Sequence, residues 1–177
     1  MNRREFLQGA IPATIALLVL PAAAKSEKQE RMAARRSESI ARLEKPRSEW
    51  RKILEPARYD VLFEESTEAP YTSPLNEEKR GGTYLCAACR LPLFRSETKF
   101  DSGTGWPSFY APISGHLGTK RDFRLILPRT EYHCVRCGGH QGHVFKDGPP
   151  PTGQRWCNNG LALEFVTAGT PLPALRS

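Results

Sequence analysis

The sequence predicts a small, mostly antiparallel β domain with one or two short helices at its N-terminal edge. Three observations carry this. Gly and Pro number 14 and 15 in 177 residues, a density of turn formers that suits many short elements better than a helical bundle. The apolar runs are brief and bounded by Gly, Pro, Asn and Ser, as half-buried strands are. Two C-x-x-C units, Cys86-Ala87-Ala88-Cys89 and Cys134-Val135-Arg136-Cys137, are separated by 44 residues, so a shared metal would join distant loops of one domain.

The chain opens with a segment that reads as an address. Arg3-Arg4-Glu5-Phe6-Leu7 precedes an apolar run from Gly9 to Leu20 and the small-residue site Pro21-Ala22-Ala23-Ala24. This order resembles the twin-arginine export signals of bacteria. It implies a signal over 1–24, passage through the twin-arginine translocase, and a periplasmic mature protein. The alternative is an uncleaved membrane anchor, because 19 residues from Phe6 to Ala24 lack formal charge. Pro12, Thr14 and Pro21 count against it.

Residues 25–47 read as a basic linker or partly helical arm. Net charge is +7, yet residues 25–52 alone hold ten Lys/Arg against five Glu. The remainder is nearly neutral and offers no basic face, which argues against a nucleic-acid partner. Ser48 is placed to cap a short helix running to Leu54. Pro56 to Phe63 forms a second, with proline in its first turn. Glu64 to Gly82 has the composition of a long loop. Strands are expected at Thr83–Leu85, Phe123–Leu127, Thr130–Cys134, Val144–Phe145, Arg155–Cys157 and Leu161–Val166. The folded domain spans 48–169, with a C-terminal tail over 170–177.

The five cysteines divide into four and one. Four thiolates complete the tetrahedral shell of a closed structural zinc site. Gly138-Gly139 after the second pair lets backbone amides approach the sulfurs. Two disulfides, or one redox-active C-x-x-C, are the competing readings in an oxidising compartment; the matched spacing favours zinc for Cys86, Cys89, Cys134 and Cys137.

Cys157 stands alone in Arg155-Trp156-Cys157-Asn158-Asn159. It is either a small buried apolar group or a nucleophile whose thiol Arg155 activates. His140 and His143 follow the second cysteine pair directly, where a metal-fixed turn would give acid–base groups a rigid platform. Trp106, between Gly105 and Pro107, is core packing or an apolar wall for a small substrate.

Together these residues resemble the methionine-R-sulfoxide reductases of the B type. The resemblance runs from about Ser48 to Val166. It rests on Pro70-Tyr71-Thr72-Ser73-Pro74-Leu75-Asn76, Gly82-Thr83-Tyr84-Leu85-Cys86, Lys99-Phe100-Asp101-Ser102-Gly103-Thr104-Gly105-Trp106-Pro107-Ser108-Phe109, His143-Val144-Phe145-Lys146-Asp147-Gly148-Pro149 and Gly153-Gln154-Arg155-Trp156-Cys157-Asn158-Asn159.

The resemblance implies a mainly β fold of two antiparallel, tent-like sheets with short N-terminal helices and a structural zinc site. It implies a monomeric enzyme that reduces the R epimer of methionine sulfoxide in oxidised proteins. Cys157 matches the nucleophile. His143 and Asn159 match the groups that hold and protonate the sulfoxide oxygen. Trp106 matches the wall for the substrate methyl, and His140 and Arg155 match further polar pocket residues. The attack leaves Cys157 as a sulfenic acid. Thr104 occupies a position where some members carry a resolving cysteine, so a thioredoxin-like or other outside thiol is expected to complete the cycle.

Trp156, Asn158, Gly160 and Gln141 depart from the commonest family residues, and glycine at 160 is expected to loosen the segment that positions Asn159. The whole expectation requires Cys157 to be free, ionised and open to solvent. A non-catalytic zinc-held β binding module is the alternative.

Overall fold

The computed structural model describes residues 40–123 and 128–177. The predicted signal, most of the basic arm and residues 124–127 of one predicted strand lie outside them. Among the described residues no helix is long and apolar enough to cross a membrane.

Two short helices come first among the described residues. The first, α1 (Arg47–Ile53), begins two residues earlier than a Ser48 cap requires, and no side chain caps it. Pro46 supplies the start instead: its ring holds φ at −58° and its carbonyl accepts from Glu49 and Trp50. So short a helix needs tertiary support. Trp50 provides it by stacking on Phe63 of α2 (Pro56–Glu64) at 5.3 Å, while Arg47 donates to the Phe63 carbonyl at 2.7 Å. Glu65, left-handed at φ 55°, ends α2. The long loop that follows holds one 3-10 turn, Pro74–Asn76.

Among the described residues nine strands then build two antiparallel sheets. The smaller has the order β2–β1–β9, from Pro92–Arg95, Gly82–Cys86 and Leu163–Thr167. The larger has the order β3–β4–β8–β7–β6–β5. Its strands are Lys99–Phe100, Ser108–Phe109, Arg155–Asn158, His140–Phe145, Arg129–Cys134 and Leu117–Asp122.

Aromatic rings join the sheets. Phe94 of β2 stacks on Phe109 of β4 at 4.1 Å, and Tyr84 of β1 meets the Phe109 ring edge-on at 4.9 Å. Tyr132 and Trp156 extend this core across the larger sheet at 4.9 Å. The contacts are worth roughly 0.5–1.5 kcal/mol per pair beyond burial itself.

Two sequence expectations shift. The predicted strand from Leu161 starts as a 3-10 turn, Gly160–Ala162, and becomes extended only at Leu163. The cause is local: the amides of Gly160 and Leu161 donate to the buried carboxylate of Glu68 instead of a strand ladder. The C-terminal residues are not a loose tail, because Arg176 returns to the first cysteine turn, donating through its guanidinium to the carbonyls of Ala87 (3.1 Å) and Ala88 (3.3 Å).

Candidate active site and metal centre

The two C-x-x-C units form matching turns. Arg90 N–H donates to the Cys86 carbonyl at 2.8 Å, and Gly138 N–H donates to the Cys134 carbonyl at 2.9 Å. The closing residue is left-handed in both, at φ 63° for Arg90 and 72° for Gly138. Glycine does this without strain; arginine does it at a cost.

The four sulfurs lie within 4.8 Å of one another. Cys86 and Cys137 are 3.6 Å apart, and Cys89 and Cys134 3.5 Å apart. A zinc–sulfur bond of about 2.3 Å in tetrahedral geometry requires sulfurs about 3.8 Å apart, whereas a disulfide requires about 2.05 Å. The donor set therefore fits a structural zinc ion. Burial pushes the Cys86 thiol up while hydrogen bonds from its three neighbours pull Cys89 down. Four such sulfurs ionise together only around a cation.

Beyond the second turn, β7 begins at His140. Gln141 is fully buried; its amide points at Cys86 Sγ at 3.5 Å, and its carbonyl accepts from Asn159 N at 2.9 Å and Nδ2 at 3.1 Å. One residue thus touches both the metal turn and the far end of the nucleophile strand.

Cys157 sits in β8 with a neighbour directly across on each side: Ser108 of β4 and His143 of β7. It is free and half-buried. A small cavity of about 110 Å3 opens there, lined by Thr67, Trp106, Arg129, Gly142, His143, Phe145, Cys157, Asn158 and Asn159. It suits the end of one side chain and is too small for a cofactor. Of the residues singled out by sequence, Trp106, His143, Cys157 and Asn159 line this cavity. His140 and Arg155 do not.

The sulfur is not ionised at rest, contrary to the sequence expectation. Burial pushes the Cys157 thiol up, against the charge of Arg155 and hydrogen bonds from Thr104, Ser108 and Arg155. The hydroxyls belong to a chain: Ser102 Oγ lies 2.8 Å from both Thr104 Oγ1 and Ser108 Oγ. Arg155 is itself fixed by a two-point bond to Asp147, 2.9 Å at each contact, and lies over the Phe145 ring.

His143 Nε2 lies 2.7 Å from Asp122 Oδ2, which Arg129 also holds at 2.8 Å. Burial pulls the His143 pKa down despite Asp122, so the ring is neutral near neutral pH, with its proton on Nε2 facing the carboxylate. His140 is buried behind it, ring centroids 5.5 Å apart, with Nδ1 3.0 Å from Glu131 Oε1 but off the hydrogen-bonding direction.

Asn158, which flanks the nucleophile, is committed to structure. It accepts from the Tyr132 hydroxyl at 2.8 Å and donates to the Asn159 carbonyl at 2.8 Å. Asn159 Oδ1 accepts from Glu68 N–H at 3.1 Å, and Trp106 Nε1 donates to the Glu68 carbonyl at 3.1 Å.

Gly105 is required where it is. Its φ is 90°, and a Cβ there would come within 2.8 Å of Pro70 Cβ and the Tyr71 amide. Gly160 tightens its segment instead of loosening it: a Cβ there would lie 1.9 Å from Ser73 Oγ. Sequence reasoning missed Glu68, Asp122, Ser102 and Ser108. Only Ser102 and Ser108 carried a signal, since both lie in the stretch around Trp106.

Comparison with known proteins agrees with this arrangement. Residues 54–167 match the SelR domain. A peptide methionine sulfoxide reductase MsrB of Pseudomonas putida (strain W619) is 53% identical over 128 residues, 71% of this chain and 96% of that protein. The proteins of the same name from Caulobacter vibrioides and Methanosarcina barkeri are 52% and 50% identical, over 73% and 71% of this chain and 81% and 89% of their own lengths. With the cysteine cluster, the two sheets and the single sulfur beside its cavity, the matches show that this chain belongs to the SelR-domain family, that of the MsrB peptide methionine sulfoxide reductases.

Proposed function

We propose that this chain reduces the R epimer of methionine sulfoxide to methionine, in oxidised proteins and as the free amino acid, through a sulfenic acid on Cys157. The supporting observation is the placement of Cys157 between Ser108 and His143, facing a side-chain-sized cavity bounded by Trp106 and Asn159.

Cys157 Sγ attacks the sulfoxide sulfur. Negative charge gathers on the sulfoxide oxygen, and a proton must meet it. The resting thiol supplies that proton, so no outside acid is consumed. The Asn159 amide stands on the cavity wall as a donor to the developing oxygen charge, while the neutral His143 ring shapes the same wall with its N–H committed to Asp122. Thr104, Ser108 and Arg155 oppose burial and stabilise the sulfur as it sheds its proton. In sum, thiol and sulfoxide become sulfenic acid and methionine, with oxygen and proton both accounted for. Two equivalents of an outside thiol then return Cys157 to the thiol, releasing a disulfide and water. This follows from the cysteine inventory: four sulfurs belong to the cluster and Thr104 offers none.

Cys86, Cys89, Cys134 and Cys137 would hold a structural zinc ion, which would add folding free energy at the turn that precedes β7. The mature chain works in the periplasm, delivered by its twin-arginine segment; Arg3-Arg4 and the site ending at Ala24 support this.

The test supplies each epimer of methionine sulfoxide with a dithiol and measures methionine by chromatography. The expected result is turnover of the R epimer alone. Equal or negligible turnover of both contradicts the proposal.

A further inference from the structure

Two walls of the cavity are built on different parts of the chain. Trp106 belongs to a loop held by Gly105, whose carbonyl accepts from Tyr71 N–H at 2.7 Å and Asn76 Nδ2 at 3.0 Å. Asn159 belongs to the end of the nucleophile segment. A single residue of a third segment joins them. Glu68 accepts the indole N–H of Trp106 on its carbonyl and gives its own N–H to Asn159 Oδ1, both at 3.1 Å. The neighbouring residues Pro107 and Asn158 bond to each other at 2.9 Å, but the side chains of the two walls, Trp106 and Asn159, are both held by the backbone of residue 68.

The side chain of Glu68 anchors that residue. It is buried, and its carboxylate accepts from the amides of Gly160 and, at 2.9 Å, Leu161, the two residues that follow Asn159. Burying a carboxylate is costly unless strong hydrogen bonds replace its water; two charge-assisted bonds from backbone amides do so here. Gly160 lets the Glu68 loop approach: a Cβ at 160 would strike Ser73 and lie 3.2 Å from Glu68 Oε1. Loop, carboxylate and glycine form one joint, with the cavity on one side and a separate groove, lined by Arg58, Ser73 and Leu161, on the other.

Epimers of a sulfoxide differ only in where methyl and oxygen point around one sulfur. A site that tells them apart must fix its methyl wall relative to its oxygen-binding group. Resting on the reading of this cavity as the sulfoxide site, we infer that Glu68 is the positioning residue for stereoselectivity, clamping Trp106 against Asn159 through its own backbone. It touches no substrate.

The test compares wild type, E68Q and E68A, each metal-loaded. kcat/KM for both epimers is normalised to folded protein, counted as the chains that keep the metal. That normalisation removes loss of folded protein, which would scale both epimers equally. The expected order of R-over-S preference is wild type above E68Q above E68A. E68Q keeps one acceptor oxygen but turns an amide N–H toward a backbone N–H; E68A leaves both amides unpaired.

In E68A the normalised R rate falls at least about tenfold, as displaced positioning groups do, and the R preference narrows. Wild-type preference in either variant overturns the inference; if E68A does not fold, E68Q decides it. Failure of the underlying reading looks different, because wild type itself then reduces neither epimer.

Discussion

Four sulfurs of this chain bracket two turns, each pair running from the last residue of a strand to the end of the turn that follows it, and one sits inside a strand; the two settings give the same side chain opposite uses. In the turns, backbone amides fold around Cys86 and Cys134, and three of the four sulfurs are buried. They lie so close together that none acts without the others. In the strand, the sheet supplies Ser108 and His143 on either side of Cys157, and a small cavity opens beside its half-buried sulfur. The turn setting makes a joint between distant segments. The strand setting leaves one free thiol, the one proposed above as the nucleophile, with burial favouring its protonated form. Gln141 connects the two, with its amide at Cys86 and its carbonyl at Asn159.

The comparison breaks most sharply at the sulfurs themselves. Cys157→Ser is expected to lower reductase activity at least about ten-thousandfold, as loss of a nucleophile does. Metal content and unfolding midpoint stay close to wild type, read by elemental analysis and thermal denaturation. Cys86→Ser gives the opposite pattern: metal falls below one per chain and stability drops by about 4 kcal/mol in denaturant titration. Should the two variants behave alike, the division between settings is wrong.

The joint beside the nucleophile gives a smaller effect. Gly160→Ala places a Cβ against Ser73 and is expected to cost about 1–3 kcal/mol in denaturant titration. Ser73→Gly in the same chain is expected to restore most of that loss, since it removes the obstructing atoms. Additive losses would show that the contact with Ser73 is not the cause.

How much of this was legible in the sequence follows from the same contrast. The turns were readable because C-x-x-C spacing is itself a geometry, and Gly138 marks the left-handed residue that closes one of them. Strands with β-branched or aromatic runs, such as Arg129–Cys134 and Arg155–Asn158, were readable too. The two-residue strand Ser108–Phe109 was not, although it carries the serine opposite Cys157; it exists because β8 lies beside it. Leu117–Asp122 was hidden by its polar, solvent-facing residues.

Glu68 and Asp122 had no signal, since each acts through partners far away in sequence: Glu68 at Asn159 to Leu161, Asp122 at His143. The ionisation of Cys157 was misjudged for a related reason. Arg155 is adjacent and visible, whereas the burial that outweighs it comes from the fold.

That balance can be measured. Alkylation of Cys157 in the metal-loaded protein is expected to rise with pH and reach its midpoint above that of an ordinary thiol. Arg155→Ala should move the midpoint higher still, because a favourable charge is lost. The sign for stability follows. The folded state holds this proton more tightly than the unfolded chain, so the contribution is complete below the unfolded thiol's pKa and is lost as pH rises through the folded one. A midpoint below the ordinary thiol range would contradict the burial argument.

The smallest expected effect lies at the outer edge of the metal turns. Arg176→Ala removes the guanidinium from the carbonyls of Ala87 and Ala88. It is expected to speed metal transfer to a coloured chelator by up to about tenfold, the low end for groups that support metal ligands. Activity of the loaded protein is unchanged. An unchanged transfer rate would leave the C-terminal residues without a part in holding the turn.

The central claim is that one sulfur does the chemistry while four hold the fold. A single turnover without reductant tests it directly: metal-loaded protein is mixed with R-methionine sulfoxide, trapped with a sulfenic-acid reagent, digested and read by mass spectrometry. The account predicts one methionine formed per chain, with the added oxygen on the peptide bearing Cys157 and the four cluster cysteines unmodified. Oxygen or a disulfide at Cys86, Cys89, Cys134 or Cys137, with Cys157 untouched, would contradict it.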